Sequence, residues 1–341
     1  MFSKKDHSYP KNYFRYLIVC LLLLLGVSVC ALLEGVHGIS FMEMISILMG
    51  SSHPYAYILL DIRLPRLLLV LMSGAMLTCG GYLMQALIKN PLADPYIMGV
   101  TAGAGLGVNL LILGIIPIAG FSIFTKPLLA GLGSCASLFL VVVLGFNSLK
   151  EDTSRLLIAG VAVASLCTAL TGILIYTQAD SDQVRKMVFW TFGSFTQSSW
   201  QAVYMSSFFA GLGIGLSWLF SRQLDIMMLG DIDAQVLGMN IKRFKIGVLL
   251  LASICVGGIV AFTGPIGFVG MMVPHFMRGI IGPMHRYNIM LGCLLGAVYL
   301  AACHVLSRFL LPPQGLPIGI VTAILGVPFF LYILFKKETY L

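Results

Sequence analysis

Two arginines, Arg63 and Arg66, flank a Leu-Pro pair just before an uncharged run from Leu67 to Ile88. A third arginine, Arg308, follows a long apolar stretch near the other end of the chain. A planar guanidinium can bind a carboxylate through two parallel hydrogen bonds. A lone arginine at the end of a membrane helix more commonly extends its charge to the lipid headgroups. Both interpretations are open for these three residues at this point.

The uncharged run ends in a polar turn, Asn90-Pro-Leu-Ala-Asp-Pro95. Proline disfavours the helical conformation of the residue before it, so Asn90-Pro91 ends a helix without further help. A gate at this turn is an additional hypothesis. The next apolar run carries closely spaced glycines, which in membrane helices more often allow close packing than contact a substrate. They are Gly99, Gly103, Gly105 and Gly107.

The longest polar loop covers about residues 222–244. Its apolar positions recur at helical spacing and are punctuated by Gly230 and Gly238, which predicts two short helices with an apolar face. The apolar positions are Leu224, Met227, Met228, Ile232, Val236 and Leu237. Asp225, Asp231 and Asp233 predict acidic tips. Helices that lie on a membrane surface are usually basic on their polar face, so docking to a protein is favoured.

The composition indicates what must hold these residues in place. Hydrophobic residues make up 59% of the chain, charged residues 10%, and the mean hydropathy is +0.97. A soluble domain has about 25% charged residues, so this chain is predicted to be an all-α, polytopic membrane protein. The apolar runs are continuous rather than alternating, which excludes a β-barrel pattern.

Charges and breaks divide the apolar runs into about ten transmembrane helices. The run from Ile246 to Pro274 is too long for one span and is divided at Gly264-Pro265-Ile-Gly267. Trp190–Trp200 mixes aromatic and hydroxyl side chains and is predicted to be interfacial. The predicted helices lie near 16–36, 64–87, 95–115, 127–147, 155–177, 200–220, 245–263, 266–282, 287–308 and 318–336.

Ten spans place both termini on one side of the membrane. Fifteen lysines and arginines then share that side and six lie on the other, so the positive-inside rule predicts cytoplasmic termini. No small-residue cleavage site follows the first apolar run, which is therefore predicted to be an uncleaved span. The six exceptions are Arg63, Arg66, Lys126, Arg185, Lys186 and Arg308.

Several kinds of chemistry have no motif in this sequence. There is no nucleotide-binding P-loop, no HExxH or GxSxG motif, and no carboxylate in the interior of the predicted spans. The eight cysteines stand singly and the eighteen methionines are scattered, so no metal site is predicted. A transporter without an internal energy source needs an external one. A stand-alone secondary transporter or channel and a membrane scaffold are the alternatives.

The arginines and the polar turn resemble the signature of the iron-siderophore and vitamin B12 permeases, the FecCD-type membrane subunits of type II ABC importers. The matching residues are Arg63-Leu-Pro-Arg66, Gly74, Gly80, Gln85, Asn90-Pro-Leu-Ala-Asp-Pro95, Gly99 and Gly103-Ala104. Further matches include Arg155–Gly160, the 229–238 loop, Gly264–Arg278, Gly282–Arg286 and Leu316–Phe330. The resemblance therefore covers nearly the whole chain.

The resemblance implies a single permease domain over residues 1–341 that pairs with a second permease copy or a paralogue. Two cytoplasmic ATPase subunits would bind ATP and magnesium, so this chain would be no enzyme and would hold no cofactor. It implies a multi-pass protein of a bacterial or archaeal cytoplasmic membrane that imports an iron chelate, siderophore or haem, by ATP-driven alternating access. Vitamin B12 is the alternative cargo, and nucleic acid is not an expected partner. A large chelate is expected to need a wide path with weak contacts, which an uncharged lining suits.

The resemblance also assigns residues. Arg63, Arg66 and Arg308 match arginines that receive glutamates of an extracytoplasmic substrate-binding protein. The ATPase coupling loop is matched by Leu229, Gly230, Asp231, Ala234, Leu237 and Gly238. The cytoplasmic gate is matched by Asn90, Leu92, Thr153 and Ser154.

Two positions depart from the family pattern. His304 and Gly315 stand where the family commonly has an aspartate and a glutamate. Arg308 is therefore expected to depend more on an external partner for its counter-ion.

Overall fold

The computed structural model describes residues 12–35, 38–91, 93–95, 99–115, 125–145, 153–178, 180–312 and 315–337. These ranges contain helices and no strand. In chain order the helices are α1 (Tyr13–Leu33), α2 (Phe41–Leu48), α3 (Leu64–Ile88), α4 (Val100–Ile112), α5 (Thr125–Gly145), α6 (Thr153–Tyr176), α7 (Ser181–Thr191), α8 (Trp200–Leu219), α9 (Ser221–Leu229), α10 (Asp231–Val236), α11 (Ile241–Thr263), α12 (Val269–Ile281), α13 (His285–Leu310) and α14 (Ile318–Lys337). A π-helical turn, Ile58–Arg63, leads directly into α3.

The predicted set of ten apolar helices is confirmed. Within the described ranges, seven helices are long and apolar enough to cross a membrane, namely α1, α3 with its π-helical turn, α5, α6, α8, α11 and α13. Three shorter apolar helices, α4, α12 and α14, complete the set. Helices satisfy their own backbone hydrogen bonds, which is why long apolar runs take this form in a bilayer.

Helix α3 lies at the centre of the bundle and packs against α8, α11, α12 and α13. Two of its glycines bring neighbouring backbones into contact. A methyl group at Gly74 would overlap the carbonyl oxygen of Gly296, and one at Gly81 would overlap the carbonyl oxygen of Gly270. Small residues at such crossings let membrane helices approach closely.

The division of the long run after residue 246 is also confirmed. Helix α11 ends at Thr263 and α12 begins at Val269. Gly264 has a φ of 69° and Phe268 a φ of 70°, a left-handed conformation that suits glycine and is uncommon for phenylalanine. The helical path is therefore broken at both ends of this short connection.

The segment 192–199, which follows α7, packs against this break. The Ser194 N–H donates to the Thr263 carbonyl (2.7 Å), and the Gly319 N–H donates to the Phe192 carbonyl (3.0 Å). The aromatic and hydroxyl-rich stretch thus joins the end of α11 to the start of α14.

The bundle has two functional ends. Arg63, Arg66 and Arg308 lie together at one of them, which we call the arginine end. Helices α9 and α10 lie at the opposite end, against the last turn of α3 and the start of α13. We call this the coupling end.

Candidate functional site

Arg63 is a structural link between α1 and α3. Its Nη1 donates hydrogen bonds to the carbonyl oxygens of Leu32 (2.7 Å) and Leu33 (3.1 Å). These are final carbonyls of α1, which have no partner within their own helix. The Arg63 side chain is only 8% exposed, so it caps α1 rather than standing open at the surface.

Glu34, the residue that follows α1, supplies a counter-ion for Arg308. The Arg308 Nε lies 3.6 Å from the Glu34 Oε1, and both side chains are largely buried. Burial raises the pKa of the Glu34 carboxyl, although the Arg308 and Arg63 guanidiniums oppose this shift. Arg308 therefore has a counter-ion within the chain, which the sequence did not predict, and a greater dependence on an external partner stays a prediction.

Arg66 and His304 lie between two cavities at the arginine end. The smaller cavity, of about 130 Å³, is lined by Arg63, Arg66, Arg308, His304 and Glu34 among others. The larger has a volume of about 930 Å³, and Arg66, Arg308 and His304 line it too. The Arg66 Nε is buried and makes no hydrogen bond within the described part of the chain.

We call the larger space the mouth cavity. Its walls come from α7, the segment 192–199, the end of α13 and the start of α14, and it reaches down to Thr263. Three cations line it, Arg66, Lys186 and Arg308, and no carboxylate does so among its described lining residues. These cations lie at the arginine end, where charges are predicted, so an uncharged lining along the rest of the path stays a prediction.

Two short helices form the coupling end, as predicted. Helix α9 ends at Leu229, Gly230 adopts a φ of 143°, and α10 runs from Asp231 to Val236. Ala234 is buried beneath them. The outward face is apolar and is exposed at four side chains that we call the apolar patch: Leu229, Ile232, Val236 and Leu237.

The prediction of acidic tips is wrong for two of the three aspartates. Asp231 accepts hydrogen bonds from the Nζ atoms of Lys89 and Lys245, each at 2.6 Å. Asp225 accepts from the backbone N–H of His285 (2.9 Å) and lies 2.6 Å from its Nδ1. Only Asp233 of the three is exposed. Two of the acids therefore face inward, because each has a partner on a spanning helix.

Asp231 joins three elements. Lys89 follows the last residue of α3, in a left-handed conformation with a φ of 54°, and Lys245 lies in the first turns of α11 with a side chain only 3% exposed. Burial alone would raise the pKa of Asp231, but the hydrogen bonds and charges of the two lysines outweigh it and lower the pKa. The carboxylate thus stays ionised and fixes α10 to α3 and α11.

The predicted gate residues are only partly visible. Asn90 follows α3 and its carbonyl accepts from the Ala93 N–H at 3.1 Å. Leu92 lies outside the described residues. Thr153 and Ser154 open α6. The side chains of Thr153 and Ser154 also lie outside the described part of the chain, so a gate stays a prediction.

Sequence reasoning missed two sets of side chains at these two ends. Glu34 was passed over, although an acid directly after an apolar span is a signal in itself. Lys89 and Lys245 were counted only as topology markers. Ile232 and Val236, which the sequence places on the apolar face of this loop, are the most exposed members of the apolar patch, at 78% and 82%.

Ten apolar helices, a cationic mouth at one end and an exposed apolar patch at the other define a multi-pass membrane transport protein. The chain belongs to the FecCD transport family, whose model matches residues 21–336. This confirms the resemblance found in the sequence.

Individual relatives have similar lengths. The chain is 36% identical over 285 residues to the hemin transport system permease protein of Yersinia pestis, covering 83% of this chain and 84% of that one. It is 36% identical over 289 residues to the Fe(3+) dicitrate transport system permease protein of Escherichia coli strain K12, covering 84% and 88%. Among solved structures it is similar to an inward-facing metal-chelate type ABC transporter, with a TM-score of 0.84, 29% identity, and coverage of 94% and 99%.

Proposed function

We propose that this chain is the membrane permease of an ABC importer that carries an iron chelate, a siderophore complex or haem, into the cell. Membership of the FecCD transport family and the named relatives support this cargo class. The observation that carries the proposal is the apolar patch, four exposed hydrophobic side chains on short helices that Asp231 and Asp225 tie to the spanning helices through hydrogen bonds. These helices are too short to cross a bilayer, so their exposed apolar face is suited to the cleft of a partner protein.

The partner at the coupling end is a cytoplasmic ATPase, two per complex, each serving one of two permease copies or paralogues. Nucleotide and magnesium bind to that partner, since this sequence contains no P-loop. In this arrangement the coupling end and both termini face the cytoplasm of a bacterial or archaeal cell, and the excess of basic residues on that side supports it. A fluorescent reporter at the carboxyl terminus should therefore be accessible only from the cytoplasm.

The partner at the arginine end is an extracytoplasmic substrate-binding protein. Arg66 and Arg308 are the guanidiniums suited to its carboxylates, because both line the mouth cavity and Arg63 does not. Arg63 has a different part: it holds α1 in place and adds its charge from beneath. Glu34 pairs with Arg308 when the binding protein is absent and competes with its carboxylates when it docks.

Transport proceeds by alternating access. ATP binding and hydrolysis in the partner move α9 and α10, and Asp231 passes that movement to α3 and α11. Asn90, Leu92, Thr153 and Ser154 form the cytoplasmic gate, near the last turn of α3 and the start of α6. A ligand can shift the equilibrium between two conformations only by binding one of them more tightly than the other. In this transporter that ligand is the nucleotide bound to the ATPase.

Reconstitution tests the proposal. Proteoliposomes containing the permease, its ATPase and its binding protein should accumulate one of ferric citrate, ferric siderophores, haem or cobalamin when ATP and magnesium are supplied on the ATPase side. Omitting either ATP or the binding protein should stop uptake. Absence of uptake for every chelate would contradict the proposal, and uptake without the ATPase would instead indicate a secondary transporter.

A further inference from the structure

The cations of the mouth cavity can bind anionic groups, a property that family membership does not specify. Lys186 is exposed on α7 and faces the same space as Arg66 and Arg308. It forms no ion pair with a carboxylate in the described ranges. From this arrangement we propose that the mouth cavity binds the anionic groups of the cargo, so that the chelate carried by this permease has a net negative charge. The inference rests on the proposed function and narrows its substrate class.

The acids nearby do not cancel this positive charge. Glu34 pairs with Arg308 but lies outside the lining of the mouth cavity. Asp180 and Asp182 stand at the start of α7, where the Asp180 carboxylate accepts the Asp182 backbone N–H at 2.9 Å. Neither of them lines the cavity. Lys186 and Arg66 therefore contribute charge that no lining group neutralises.

The shape of the cavity concentrates this charge. A concave space lined by one sign of charge focuses the electric field and raises the local concentration of counter-ions. Its volume of about 930 Å³ lies in the range of about 300–1,000 Å³ that holds a small-molecule ligand. A metal chelate with carboxylate or catecholate groups would therefore be drawn into the cavity.

The remaining walls suit the organic part of such a chelate. Aromatic side chains present flat surfaces, while amide and hydroxyl groups can bind ligand oxygens. The aromatic lining residues are Phe189, Trp190, Phe195 and Phe262. The uncharged polar ones include Gln183, Ser194, Thr196 and Gln197.

Trp190 offers a direct measurement, since it lines the cavity and ferric chelates quench indole fluorescence. The permease–ATPase complex, in nanodiscs of zwitterionic lipid and without binding protein, is titrated with a trianionic ferric catecholate and with an uncharged ferric trihydroxamate. The Trp190→Phe variant gives the background from Trp200, Trp218 and any tryptophans of the ATPase. Quenching that depends on Trp190 should saturate at lower concentration with the anionic chelate, and the difference should shrink as salt is added.

Charge reversal at Lys186 is the decisive variant. Lys186→Glu should weaken binding of the anionic chelate about fivefold or more at physiological salt, and leave the uncharged chelate unaffected. Arg185→Glu is the matched control: it changes the net charge equally on the same helix, but Arg185 packs over Phe189 and is not a lining residue. Its effect should be clearly smaller than that of Lys186→Glu, because Arg185 is exposed and does not line the cavity, so solvent and salt screen its charge.

Two results would overturn the inference. One is equal affinity for the two chelates; the other is equal weakening by Lys186→Glu and Arg185→Glu. Either result, obtained with a complex that still imports a chelate on ATP addition, would leave the proposed function standing. Failure of ATP-driven import for every chelate would instead remove the proposed function. Circular dichroism and gel filtration confirm that both variants fold.

Discussion

Asp231 is the residue on which the coupling end depends most. Its carboxylate holds Lys89 and the almost fully buried Lys245, so Asp231→Asn would leave a buried ammonium group without its counter-ion. Removing one partner of a buried ion pair costs about 3–5 kcal/mol, and partial exposure of Asp231 reduces this to about 1–3 kcal/mol. We expect a lower melting temperature for Asp231→Asn in detergent. Asp233→Asn, on the same helix but exposed, should show almost no change.

The same carboxylate gives a pH dependence with a defined sign. The folded protein lowers the pKa of Asp231, so its stabilising effect is complete above the unfolded pKa of about 3.9 and is lost as the pH falls through the lower, folded value. The stability difference between wild type and Asp231→Asn should therefore be constant from about pH 8 to pH 5 and shrink only in stronger acid. Thermal unfolding across this pH range measures it. A difference that disappears already near pH 6 would contradict the assignment.

Glu34 makes a second prediction at the residue scale. Because it is the internal counter-ion of Arg308, Glu34→Gln should free that guanidinium for carboxylates of the binding protein. We expect docking to become a few-fold tighter, by the roughly 1 kcal/mol typical of a partly exposed ion pair. Surface plasmon resonance with the immobilised complex measures the affinity. Asp61→Asn, an exposed acid at the same end, is the control, and weaker docking of Glu34→Gln would contradict the competition.

The sequence located these residues better than it described their contacts. The pairing of Arg63 and Arg66 and their place at a helix end follow from the sequence alone. That Arg63 caps α1 could not be predicted, because the acceptors, Leu32 and Leu33, are about thirty residues away and have no side-chain signal. The sequence predicts the correct loop for Asp231 but an outward side chain. Helical spacing within the loop does not show that Lys245 of α11 is buried beside it and pairs with the carboxylate.

At the scale of elements, the glycine crossings determine how closely the helices pack. Gly81→Ala would press a methyl group into the Gly270 carbonyl of α12, between two rigid backbones. Overpacking of this kind costs about 1–3 kcal/mol, so the complex should unfold at lower temperature and α3 should separate from α12. Gly172→Ala in α6 is the matched control, because no atom lies within 4 Å of its new methyl group. That variant should be neutral or slightly more stable, since alanine favours helices over glycine.

The apolar patch is the other element whose function can be tested directly. Replacing Ile232 and Val236 by serine removes apolar area without adding charge, and exposed side chains contribute little to the fold of the free permease. Central interface residues contribute about 1–2 kcal/mol or more each, so the ATPase should dissociate at least about tenfold more readily. Gln235→Ser on the same helix is the control. Retention of the ATPase at wild-type strength during purification would argue against the patch as its contact.

Long elements were predictable and short ones were not. Ten apolar runs gave ten helices, and the glycine–proline pair at Gly264 marked the break between α11 and α12. Helix α2 was missed, although Ser40 and Glu43 form a capping box that the sequence displays. The amphipathic α7 was missed as well, because eleven residues are too few for a strong periodic signal beside the spans.

At the scale of the whole molecule, α3 joins the two functional ends. Arg66 lies in its first turn and Lys89 directly follows its last residue. If Asp231 transmits movement through Lys89, then Lys89→Gln should reduce the number of chelates imported per ATP hydrolysed by about half or more while hydrolysis itself continues. Lys242→Gln, an exposed lysine near the same end, should leave that ratio unchanged. Parallel uptake and phosphate-release assays on one set of proteoliposomes provide the ratio.

The cap that Arg63 places on α1 also bears on how the protein is made. Leu32 and Leu33 leave the ribosome before Arg63 does, so the carbonyls that accept its hydrogen bonds already lie at the membrane surface when the guanidinium arrives there. Moving a charged side chain into the membrane costs free energy unless the charge finds hydrogen-bond partners of this kind. We therefore expect the first helix to supply the acceptors for Arg63 during synthesis, so moving α1 to the end of the gene should impair insertion of the second span.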